Sequence, residues 1–181
     1  MSDKPRIKVA TAWLGGCSGC HMSFLDLDER LIDLAGLLEF TASPITDVKE
    51  IPEVDVGIVE GCVCNDENEH VLRTMRRQCK VLIALGDCAI TGNVPALRNQ
   101  FKLPDVLARG YIETESTHAG EVPDSLDVPV LQRQVRPLKD FVKVDANIPG
   151  CPPDADAIWF ALTELLAGRA PQWTPENMRY D

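Results

Sequence analysis

Seven cysteines are spread through the 181 residues, and four of them stand in glycine-bearing turns behind hydrophobic runs. Gly15-Gly16-Cys17-Ser18-Gly19-Cys20 follows the run 7–14, Leu85-Gly86-Asp87-Cys88-Ala89 follows 80–85, and Pro149-Gly150-Cys151-Pro152-Pro153 follows 141–147. A Cys-x-x-Cys pair alone suits two chemistries, a dithiol that cycles with a disulfide or half of a metal site. Four thiols in equivalent positions match the ligand count of an iron–sulfur cluster. Zinc also binds four thiolates, but structural zinc commonly draws them from two close pairs, not from one pair and two singles. Cluster, zinc or dithiol, and plain packing all remain open at this point, in that order.

The elements that must position these thiols alternate in type. Strand candidates are Ile7–Leu14, Phe40–Ile45, Val54–Glu60, Lys80–Leu85 and Phe141–Asn147, several of them near-continuous aliphatic runs of the kind buried on both faces of a parallel sheet. Phe24, Leu27, Leu31, Leu34, Ala35 and Leu38 recur at helical spacing after the first cysteine pair, a second helix is expected over about 67–78, and a third over 152–167 stopped by Gly168. The pattern predicts an α/β chain with a flavodoxin-like, doubly wound, mostly parallel sheet. In such a sheet every strand ends at one edge, where ligands collect, so Cys17, Cys20, Cys88 and Cys151 would converge there. Gly15, Gly16, Gly19, Gly86 and Gly150 allow the tight turns and close backbone approach that a cluster needs. Pro152 and Pro153 are expected to open the last helix, with its free amides and positive dipole end turned to a thiolate-rich site.

Composition narrows the function. One domain over 1–181 is expected from the length and the 45% hydrophobic content, with an irregular excursion at about 110–138, chiefly Gly110 to Asp127, and a polar tail over 171–181 in which Trp173 is a candidate anchor. The formal charge of -10 argues against nucleic acid as a partner. Neither an export signal nor an apolar run of membrane-spanning length is evident, so a cytoplasmic protein is expected. An odd number of cysteines in a reducing compartment argues against a disulfide framework.

The Cys17-Ser18-Gly19-Cys20 turn, Val59-Glu60-Gly61, Gly86-Asp87-Cys88-Ala89 and Ile148-Pro149-Gly150-Cys151-Pro152-Pro153 together resemble the small subunit of soluble, NAD-reducing (bidirectional) nickel–iron hydrogenases. The resemblance covers most of the chain. It implies that Cys17, Cys20, Cys88 and Cys151 hold one proximal 4Fe–4S cluster, that Glu60 is the acidic residue of the subunit contact, and that the nickel–iron centre and NAD belong to partner subunits. Those partners would be the hydrogenase large subunit and diaphorase subunits carrying flavin and further iron–sulfur clusters. The chain would then be the electron-transfer subunit of a hydrogen:NAD+ oxidoreductase, inactive alone. The rival resemblance, to the small subunit of NADH–quinone reductases, involves two adjacent cysteines, and here Ser18 and Gly19 separate them. A zinc-stabilised binding module is the alternative from another class.

Other residues invite roles that the residues alone do not require. Cys62 and Cys64 sit at the same sheet edge, but a 4Fe–4S cluster needs only four thiolates, so a non-ligand role is expected for both. Cys79 falls in register with Val71 and Met75 and reads as packing. His21 is a candidate supporting residue beside Cys20, although a histidine opening a helix is more often an ordinary polar contact. Trp13 and Trp159 read as core aromatics. No G-x-G-x-x-G or phosphate-binding loop follows any strand, so neither NAD nor FMN is expected on this chain.

Overall fold

Residues 6–48 and 50–178 are described by the computed structural model. The first half contains β1 (Ile7–Trp13), α1 (Gly19–Leu25), α2 (Arg30–Ala35), β2 (Leu38–Ala42), β3 (Val54–Glu60), β4 (Val63–Asn65), α3 (Asp66–Gln78) and β5 (Cys79–Leu85). The second half adds α4 (Asp87–Thr91), a 3-10 turn at Val94–Gln100, α5 (Leu103–Tyr111), β6 (Leu131–Arg136), a second 3-10 turn at Leu138–Asp140, β7 (Ala146–Ile148) and α6 (Ala155–Leu166). Five strands form one sheet in the order β2-β1-β3-β5-β7, and every neighbouring pair is parallel. Counted within the sheet that is 2-1-3-4-5, the flavodoxin-like order, whose topological switch lies between the first and third strands. The predicted α/β fold is therefore present.

Strand residues alternate between two cores because successive side chains leave opposite faces. Val9, Ile58, Ile83 and Leu85 meet Leu27 and Leu34 and, from α6, Ile158, Ala161 and Leu162. Ala10, Ala12, Val59, Leu82 and Ala84 meet Leu72 and Met75 of α3, together with Leu138. Each fully buried Leu or Ile contributes about 1.5–3 kcal/mol. Gly57 is required on the α3 face, since a Cβ there would stand 2.7 Å from Met75 Sδ and 3.1 Å from Cys79 Sγ. Cys79 is buried in that contact at the start of β5, so it packs as expected, from a strand and not from the helix stripe.

Several expected boundaries move. The apolar stripe from Phe24 to Leu38 is two short helices, interrupted at Asp28 with φ of 51°, a conformation that Asp tolerates better than most residues. Leu38 belongs to β2, which ends at Ala42 before Pro44, a residue with no amide to continue an edge ladder. The expected strand Phe141–Asn147 is only Ala146–Ile148. Phe141, Val142 and Val144 pack on the α3-side core, and Asp145 Oδ2 accepts the Leu82 N–H at 2.9 Å just where strand pairing begins. The last helix starts at Ala155, not at Pro152, because Asp154 caps it by accepting the Ala157 N–H at 2.6 Å. Gly168, with φ of 72°, closes it as predicted.

The expected excursion at 110–138 is irregular only in part. It starts inside α5, and its last third contains β6, which pairs antiparallel with β4. Trp173 anchors the tail, its indole donating to the Asn147 carbonyl at 3.2 Å and meeting Phe160 edge-on, while tail residues 179–181 lie outside the described residues. Trp13 is 38% exposed and so is not a core aromatic, whereas Trp159 is half-buried against the α6-side core under Arg30. Among the described residues no helix is long and apolar enough to cross a membrane.

Candidate metal centre

All four expected ligands stand at the carboxyl edge of the sheet. Cys17 lies in the turn between β1 and α1, Cys20 is the second residue of α1, Cys88 the second of α4, and Cys151 lies between β7 and α6. Ser18 turns the first loop through a left-handed conformation with φ of 63°. Cys17 and Cys151 are exposed, Cys88 is half-buried and Cys20 is buried. The site thus has a closed floor and an open outer side.

Hydrogen bonds join the two loops that carry Cys88 and Cys151. Gly86 N–H donates to the Ile148 carbonyl at 2.8 Å, Asp87 N–H to the Gly150 carbonyl at 2.8 Å, and Gly150 N–H to Asp87 Oδ1 at 2.9 Å. Gly86 has φ of 82°, and a Cβ there would stand 2.2 Å from Cys20 Sγ, so only glycine permits that sulfur to lie against the β5–α4 turn. Asn93 Nδ2 donates to Cys151 Sγ at 3.1 Å.

The thiols feel one another. Burial pushes the Cys20 thiol up from its ordinary value, and the neighbouring Glu60, Cys88, Cys17 and Cys151 raise it further. Cys88 is raised by burial, then by Cys151, Cys17, Glu60 and Asp87. Four thiols whose anions would repel one another beside a carboxylate form a donor set that cations relieve, since metal binding displaces the protons. Among the described residues no three His, Cys, Asp or Glu side chains are grouped as a single metal ion would require. The fit to a larger cluster rests on the shared edge, the mutual repulsion and the glycine-lined approach.

Behind Cys20 lies a buried polar chain. Glu60 and His21 are 2% and 3% exposed, and one carboxylate oxygen, Oε2, accepts both the main-chain N–H and the Nδ1–H of His21 at 2.6 Å each. His21 Nε2 lies 3.0 Å from Thr11 Oγ1, which donates to Ser43 Oγ at 2.8 Å. Glu60 is therefore turned into this chain toward His21. The pairing with Glu60 fixes the start of α1, and with it the segment that bears Cys20. Thr11 and Ser43 are additions that only the structure makes; strand and turn hydroxyls of this kind carry no spacing signal in the sequence.

Cys62 and Cys64 form a separate pair on the neighbouring loop, with their sulfurs 3.6 Å apart. Cys62 lies opposite Gly15 in an isolated bridge, and neither side chain takes part in the hydrogen bonds between the Cys88 and Cys151 loops.

Comparison with known proteins agrees with this architecture. The family model described as NADH ubiquinone oxidoreductase, 20 Kd subunit, matches residues 17–165. The delta subunit of the NAD-reducing hydrogenase HoxS from Cupriavidus necator is 44% identical over 97% of this chain and 86% of its own length. One subunit of the F420-non-reducing hydrogenase of Methanothermobacter thermautotrophicus is 40% identical over 98% of this chain, which spans only 58% of that relative's length. A crystal structure of an NAD+-reducing [NiFe]-hydrogenase in the H2-reduced state superposes with a TM-score of 0.94 at 44% identity, covering 98% of this chain and 100% of that one. A [NiFeSe]-hydrogenase chain from Dm. baculatum, at 16% identity and a TM-score of 0.62, shares the fold over 96% of this chain and 69% of its own. The chain belongs to the NADH ubiquinone oxidoreductase 20 Kd subunit family, and within it to the small subunits of NAD-reducing nickel–iron hydrogenases.

Proposed function

We propose that this chain carries electrons through one 4Fe–4S cluster, between the nickel–iron site of a large subunit and diaphorase subunits that hold flavin, further clusters and NAD. The observation that supports this reading most is the convergence of Cys17, Cys20, Cys88 and Cys151 on one sheet edge beside the β1/β3 switch point. These four thiolates would hold the cluster, which when bound supplies a one-electron couple. Asn93 Nδ2 donates to Cys151 Sγ, and a hydrogen bond to a ligand sulfur raises the potential. Glu60 acts in the opposite sense, since its charge near Cys20 and Cys88 disfavours an added electron. Buried Cys20 keeps water from the inner side, and exposed Cys17 and Cys151 mark the side from which electrons pass to partners.

Hydrogen splitting and hydride transfer to NAD belong in this reading to other chains, and the complex works in the cytoplasm. The respiratory alternative has the family match in its favour, but the Ser18-Gly19 gap between the first two cysteines supports the hydrogenase reading. Affinity purification of the tagged chain from its own cells tests the assignment. A nickel-containing large subunit and hydrogen-dependent NAD reduction should accompany it; recovery without nickel would overturn the hydrogenase assignment even with iron retained.

A further inference from the structure

Cys62 and Cys64 are not needed by a four-thiolate site, yet the fold sets them against each other. Their sulfurs are 3.6 Å apart with only Val63 between them, the first residue of β4, whose extended backbone turns both side chains to one side. Cys62 is fully buried and Cys64 half-buried. Cys62 is pinned by its backbone, giving its N–H to the Gly15 carbonyl and taking the Gly15 N–H on its own carbonyl, both at 2.9 Å, while its thiol reaches the same Gly15 carbonyl at 3.0 Å. Cys64 Sγ occupies the space over Gly15, where a Cβ would stand 2.2 Å from it. Arg98 frames the other side, donating to the carbonyls of Gln132 at 3.0 Å and Cys64 at 3.4 Å.

From this juxtaposition we propose that Cys62 and Cys64 are a peroxide-sensitive dithiol, a reversible oxidation site distinct from the four thiols of the candidate cluster. The two sulfurs have different parts. The S–H of Cys62 beside it and the nearby Arg98 bring the Cys64 thiol down to about 7, so a large share of it is thiolate, the nucleophilic form, at neutral pH. Cys62 is held protonated, first by its hydrogen bond to Cys64 and then by burial. The Cys64 thiolate attacks one peroxide oxygen, the O–O bond breaks, and the departing hydroxide takes a proton to become water, leaving a sulfenic acid on Cys64. The Cys62 sulfur then attacks Cys64 Sγ, the S–O bond breaks, and the Cys62 proton leaves with that hydroxide as a second water. Two thiols and one peroxide thus become one disulfide and two waters, the pair giving up two electrons.

With a single residue between the cysteines the bond closes a small, strained ring, and strained disulfides are the readily reduced kind. Oxidation also removes the Cys62 thiol proton that Cys64 shares with the Gly15 carbonyl, two residues before Cys17. The pair is therefore coupled to the loop that bears Cys17 and Cys20, whatever that loop holds. Cys79, buried against Gly57 and Met75 on the α3 face, serves as an internal control.

The test is thiol mapping of the purified protein, in its complex, after limiting hydrogen peroxide, with alkylation on denaturation and peptide mass analysis. The expected result is a peptide containing Cys62 and Cys64 that has lost two hydrogens and both alkylation sites, with Cys79 still alkylated, restored by a thiol reductant. In Cys62→Ser, Cys64 should accumulate as sulfenic acid trapped by a 1,3-diketone; in Cys64→Ser, Cys62 should stay a thiol. A serine in the buried position 62 could disturb folding, so the wild-type peptide map decides by itself. Full alkylation of both cysteines at a peroxide dose that oxidises other thiols of the chain would overturn the proposal, as would either one pairing with a different cysteine.

Discussion

The loops after β1 and β3 lie side by side at the switch point of the sheet, and each carries two cysteines, but the pairs are built for different ends. After β1 the thiols diverge, Cys17 exposed and Cys20 buried against Gly86, where burial, Glu60 and the thiols of Cys88, Cys17 and Cys151 raise the Cys20 thiol. After β3 the thiols of Cys62 and Cys64 face each other at 3.6 Å, between Gly15 and Arg98, and each takes its largest electrostatic influence from the other. Two cysteines close together behind a strand read alike along the chain, whatever they do. The direction of each sulfur and the long-range partners it meets tell them apart.

The largest expected effect falls on iron content. Cys20→Ser or Cys151→Ser should reduce bound iron from about four per chain to near zero, while Cys62→Ser and Cys64→Ser should leave it unchanged. Iron lost equally in all four variants, read by metal and acid-labile sulfide analysis, would erase the distinction between the loops. Next comes Gly86→Ala, whose Cβ strikes Cys20 Sγ in a left-handed backbone position and should destabilise the chain by about 2–4 kcal/mol in denaturant unfolding. Gly168→Ala, with a similar φ of 72° but open space around it, should cost only about 1 kcal/mol. Equal costs would mean that contact with Cys20 is unimportant.

Smaller again is Glu60→Gln, which keeps an acceptor for the two His21 donors but removes the charge, at about 1–2 kcal/mol in the same unfolding assay. The smallest effect lies just before the start of β7, away from the four edge thiols. Asp145 is held down to about 2: burial opposes this, but hydrogen bonds from Lys143, Leu82 N–H and Arg76 outweigh it. Its folded value lies below the usual 3.8, so the stability it contributes is complete above about pH 4 and lost as pH falls toward 2. About 1 kcal/mol, allowing for the solvent that reaches these ion pairs, should disappear over that window in wild type and be absent in Asp145→Asn.

What the sequence makes legible depends on how local each cause is. The aliphatic runs of β1, β3 and β5 and the glycine–cysteine turns behind them announce themselves, because burial on both faces and tight turns are written in adjacent residues. The break at Asp28 is hidden by a hydrophobic stripe that runs through it, since an apolar residue is equally useful on a helix or on β2. β4 is only three residues long and β6 alternates polar side chains, so neither stands out until they pair. α5 falls at the edge of the stretch that reads as irregular, and the true start of α6 is set by the Asp154 cap, which outweighs the helix-opening prolines. The Glu60–His21–Thr11–Ser43 chain links residues on β1, α1, β3 and a turn, and nothing local joins them.

Whether the four edge thiols form one cluster-binding set is read by counting iron and acid-labile sulfide on the anaerobically purified chain beside its Cys151→Ser variant. About four irons with matching sulfide are expected in the wild type, and loss of both in the variant. Zinc without sulfide, or a metal content that survives removal of Cys151, would contradict a cluster held by all four.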